Sequence, residues 1–211
     1  MLTKNFERLK SEVADHVKAD RVTQGSYKTC FIGCLANGHD DPGFIQRTYG
    51  IPVMVTRIAE EIFEGLPADE APDFFAALPE AVGSDGKDLT RVGWKLLAAE
   101  LRALPPVSDD IQAVIDPVIE GMDLLADGKE WPEAAVTNPA YWSVSAAVNA
   151  ANRATFAARA ARAARATDSS FAAWSVAYAA AGSAAACLRQ RDTLLRLIKE
   201  APITQKEDSY V

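Results

Sequence analysis

The chain has 211 residues, 49% hydrophobic and 24% charged, with a net charge of −7. That is enough for one globular domain with a real core, and too apolar and too weakly charged for a wholly disordered chain. The acidic balance excludes a general nucleic-acid binder, because neutralising phosphate requires an excess of Lys and Arg. The charge is uneven. Residues 1–130 hold 13 Lys+Arg and 23 Asp+Glu, a net −10, whereas residues 131–211 hold 9 and 6, a net +3.

In chain order, Phe6, Leu9, Val13 and Val17 recur at helical spacing and predict a helix over 3–23. Gly25 and Ser26 break the pattern. Residues 29–37 follow as a short apolar helix or turn, stopped by Asn37-Gly38. Asp41-Pro42 is an N-cap and first-turn pair for a short helix ending at Gly50. Val55, Ile58, Ile62 and Leu66 form the stripe of a helix over 52–66, which Pro67 stops. Residues 69–78 give a short helix with Phe74, Phe75 and Leu78, and Gly83-Ser84-Asp85-Gly86 a flexible turn. Asp88 caps a helix over 89–103, and Ser108 caps one over 109–126 that Pro117 kinks or splits.

Beyond Gly128 the texture changes. From Ala140 to Cys187, 22 of 48 residues are alanine, the best helix former. Two long antiparallel helices are expected, 139–166 and 169–199, turning at Thr167-Asp168-Ser169, with a polar flexible tail over 201–211. The expected fold is all-α: a body of about six helices over 1–130, packed with an Ala-rich helical hairpin over 131–200. Phe171–Leu188 is uncharged for 18 residues, but Ala and Ser dominate it, so a soluble helix is expected there rather than a membrane span. Three cysteines make no disulfide framework, and the N-terminus shows no apolar signal region; a cytoplasmic setting is expected.

Four constellations bear on chemistry. His16, Cys30, Cys34 and His39 offer two thiols and two imidazoles, a sufficient tetrahedral zinc set, with Asp20 four residues after His16. The same groups permit a Cys–His catalytic pair, or a His16–Asp20 hydrogen-bonded unit beside two packed thiols. Glu60, Glu61, Glu64, Asp69, Glu70 and Asp73 form an acidic run, read as a solvated face. Arg159, Arg162 and Arg165 line one side of the first Ala-rich helix, and Arg189, Arg191, Arg196 and Lys199 cluster late in the second. They either solubilise the hairpin or bind an anion or acidic partner. Tyr141, Trp142, Trp174 and Tyr178 make either core or a ligand slot. The P-loop, dinucleotide, zincin and nucleophile-elbow motifs are missing.

The order His16, Asp20, Gln24-Gly25-x-Tyr27, Cys30-x-x-Gly33-Cys34, His39, Tyr49-Gly50-Ile51-Pro52 and Ile62-Phe63-Glu64-Gly65-Leu66-Pro67 resembles a group of uncharacterised bacterial and phage-encoded proteins. That group also tends to end in an Ala-rich, aromatic-punctuated tract and a leucine-containing helix, like Leu188–Ile198. Thr29 stands where the pattern usually has Gly before the first Cys. The resemblance implies a phage or mobile-element context and places His16, Cys30, Cys34 and His39 in one motif, but brings no activity with it.

The functional expectation is a non-enzymatic binding or interaction protein acting on a host protein or a small ligand. A metal- or thiol-dependent enzyme centred on His16, Asp20, Cys30, Cys34 and His39 is the alternative, with zinc as the cofactor such a site would take. A homo-oligomer built through the Ala-rich hairpin is a third.

Overall fold

A computed structural model describes residues 1–104, 106, 109–130 and 184–204. The fold is all-α. Among the described residues eight helices run α1 Phe6–Lys18, α2 Phe31–Leu35, α3 Pro42–Tyr49, α4 Val53–Gly65, α5 Ala71–Val82, α6 Val92–Arg102, α7 Asp109–Ala126 and α8 Ala184–Lys199. Seven of these eight lie within residues 1–130. Extended pairing among the described residues is limited to two isolated bridges, Leu2 with Asp88 and Lys87 with Ile203. Among the described residues no helix is long and apolar enough to cross a membrane.

The local signals explain most boundaries. The Asp41 carboxylate accepts from the Phe44 N–H at 2.9 Å, Pro42 fills the first helical turn, and Gly50 ends α3 at φ 70°. Gly is required at position 50, since a Cβ there would collide with the Leu2 carbonyl as well as strain the backbone. α1 is shorter than expected: it closes at Lys18, so Asp20 falls beyond it at φ 50°. α5 runs on through Pro79 to Val82, burying Ala81 and Val82. α7 is a single helix through Pro117. Asp88 caps a turn rather than α6 directly, accepting from the Thr90 N–H at 3.0 Å.

α4 is the central element and touches α2, α3, α5, α6 and α8. Its stripe, Val55, Ile58 and Ile62, is buried as the periodicity demands, with Phe63 beside it. Phe63 meets Phe31 of α2, which in turn stacks on Phe74 and meets Phe75 edge-on, both at 5.5 Å between ring centroids. Such pairs add specific geometry to a large apolar burial. α1 packs on α2 and α5, and α7 on α6.

α8 lies across α4, α5 and α6 and buries Cys187, Gln190, Leu194 and Ile198. The chain then continues into ordered pairing: the Pro202 carbonyl accepts from Asp88 N–H at 2.9 Å and Thr204 N–H donates to Gly86 at 2.8 Å. The expected tail over 201–211 is therefore tied down over its first four residues. The rest of the expected hairpin, 131–183, and residues 205–211 lie outside the described residues.

Candidate functional site

The polar motif residues meet where the loop between α1 and α2 lies on the C-terminal half of α4. The last carbonyls of a helix have no partner within it and need an outside donor. Gln24 Nε2 supplies one, donating to the Phe63 carbonyl at 2.5 Å and the Leu66 carbonyl at 2.9 Å. The Glu64 carboxylate answers from α4, accepting from the Gly25 N–H at 2.9 Å. Gln24-Gly25 and the Phe63–Leu66 turn are thereby clipped together in both directions.

α2 is capped by a thiol and a carboxylate. Cys30 is its N-cap, and its Sγ accepts from the Gly33 N–H at 3.4 Å. One turn back along α4 from Glu64, Glu60 accepts from the Ile32 N–H at 2.8 Å. A negative or acceptor group at a helix N-terminus is favoured by the orphan N–H groups and the helix dipole. Cys34 points elsewhere: its thiol donates to the Thr29 carbonyl at 3.3 Å and lies 3.7 Å from that of Arg21. Gly33 is fixed by contact, because a Cβ would run into the Tyr27 carbonyl and the Lys28 backbone.

Cys30, Glu60 and Glu64 each offer a ligand atom, and these atoms lie within 4.8 Å of one another. The thiol is buried, Glu60 half-buried and Glu64 exposed. Burial pushes the Cys30 thiol up to about 12, with its hydrogen bond to Glu60 acting the same way. Burial also pushes Cys34 up to about 11, helped by the Glu60 charge. Burial raises the Glu60 carboxyl above its usual range; Glu64 and Asp40 push it further, while hydrogen bonds from Cys30 and Ile32 oppose this. A thiol nucleophile must be a thiolate near neutral pH. These two are held as thiols, each occupied with backbone.

The predicted zinc set His16, Cys30, Cys34 and His39 does not come together as a four-ligand centre. Among the described residues, the cluster that forms takes Cys30 alone from that set and adds Glu60 and Glu64. His16 is half-buried, with Nδ1 buried and lacking a hydrogen-bond partner among the described residues. No hydrogen bond joins it to Asp20, because α1 stops short and leaves Asp20 exposed. His39 is exposed beyond α2, its backbone N–H closing a turn on Ala36 at 3.2 Å. The acidic run divides: Glu60 and Glu64 hold the loop, Glu70 pairs with Arg191 at 2.5 Å, and Asp69 and Asp73 are exposed.

The later basic cluster is paired, partly with the body and partly along its own helix. Arg189 meets Glu100 at 2.8 Å, Arg196 meets Glu200 at 2.8 Å, and Lys199 approaches Glu80 at 3.7 Å. Arg159, Arg162 and Arg165 lie outside the described residues, as do Tyr141, Trp142, Trp174 and Tyr178. Sequence reasoning missed Glu60 and Glu64 as partners of the cysteine loop. Their four-residue spacing on one helix face was visible, but the N–H groups they serve sit 28 and 39 residues away. Comparison with protein families, curated proteins and solved structures finds no match for this chain.

Proposed function

We propose that this chain is a non-enzymatic binding or interaction protein, acting in the cytoplasm on a host protein or a small ligand. The phage or mobile-element context comes from the sequence resemblance. What supports the reading is how the motif's polar groups are used. Gln24, Cys30, Cys34, Glu60 and Glu64 each bond a backbone group, and neither thiol is activated. The motif's polar groups hold the body together, and recognition falls to other residues, such as Arg159, Arg162 and Arg165 outside the described part, whose charge suits an anionic or acidic partner.

Capture from a bacterial lysate, quantified by mass spectrometry, tests this with three full-length proteins. A species retained by the wild type and by Cys30→Ser, but lost with the Arg159→Glu, Arg162→Glu, Arg165→Glu variant, supports the reading. Equal loss with Cys30→Ser at an unchanged melting temperature contradicts it. A monomer at high micromolar concentration ends the homo-oligomer alternative.

One observation favours a second reading, a metal centre. Cys30, Glu60 and Glu64 are a thiol and two carboxylates at ligating distance, with both carboxylates oriented by backbone N–H groups. Orientation of ligands by second groups is how metal sites are tuned. Zinc would have to displace the Cys30 proton, so binding would release a proton and tighten as pH rises. Equilibrium dialysis against zinc checks it: one equivalent, lost with Cys30→Ser, supports the centre, and less than about a tenth of an equivalent removes it.

A further inference from the structure

We draw no further inference here: the strongest candidate, the open cleft between the first turn of α1 and the turn over 83–85, is a helix N-terminus that Asp85 Oδ1 already caps by accepting from the Phe6 N–H at 2.8 Å, and nothing else among the described residues there points to a ligand.

Discussion

In the loop over α4, backbone N–H groups meet two carboxylates and a thiol sulfur; beneath α8, backbone carbonyls meet an ammonium. Glu60, Glu64 and the Cys30 sulfur serve Ile32, Gly25 and Gly33, whereas Lys87 serves Ala81, Ile198 and Lys199. Both regions obey one rule: a polar group shut away from water is costly unless paired. They differ in what the pairing joins. The Glu60 and Glu64 carboxylates tie a loop to the side of α4, whereas the Lys87 ammonium ties together the C-terminal ends of two helices, α5 and α8. Both regions rest on the same aromatic cluster, the loop through Phe31 and Phe63 and α8 through Leu194 and Ile198, which share a small void with Phe31 and Phe74.

Substitutions in each region sharpen the comparison. Leu194→Ala carries the largest expected effect. Leu194 is fully buried, and truncation enlarges the existing void, at a cost of about 2–5 kcal/mol. The loss should appear as a lowered melting temperature, since Leu194 belongs to the same core cluster as Phe31 and Phe74. Gly33→Ala should cost about 1–3 kcal/mol, since the new Cβ meets backbone that cannot move without dislodging the loop. Its loss should appear as a single lowered melting transition of the whole body. Glu100→Ala should cost about 1–3 kcal/mol: Gln190 is left buried without that partner, while Arg189, 46% exposed, rehydrates.

The smallest effect is the most diagnostic of the loop. A carboxyl whose folded-state pKa is raised contributes stability below its ordinary pKa of 4.5 and loses it as pH rises through the raised value. Glu60→Gln keeps an acceptor for the Ile32 N–H but cannot ionise. Wild type minus Glu60→Gln stability should therefore fall from about pH 4 to about pH 8, measured by thermal melting at each. A flat difference would mean that Glu60 titrates normally and that burial does not govern it.

Much of this was legible where the determining residues are local. Asp41-Pro42 and Gly50 bound α3 as their capping chemistry dictates, and Leu9, Val13, Ile58 and Ile62 are buried on the expected stripes. Val17 continues the first stripe in sequence but is 40% exposed, because α1 ends one residue later. The helix expected to end at residue 78 runs on through Pro79, and Pro117 does not split α7, since burial of Val82, Val118 and Met122 carries both helices onward. The site was legible as a list of groups and illegible as a geometry. Cys30 sits on an N-cap rather than a shared helix face with Cys34, so the two thiols serve different backbone groups. Lys87, in a stretch that reads as a flexible Gly-flanked turn, gives no local hint that three carbonyls converge on it.

The central claim is that the motif around Cys30 is structural, its thiol kept protonated and its carboxylates holding backbone. Cobalt titration of the full chain near neutral pH tests it most directly, because thiolate bound to cobalt gives an intense charge-transfer absorbance in the near ultraviolet. The account predicts no such band up to several equivalents of cobalt, and the same spectrum for wild type and Cys30→Ser. A band that saturates at one equivalent and disappears with Cys30→Ser would contradict it and establish the metal centre instead.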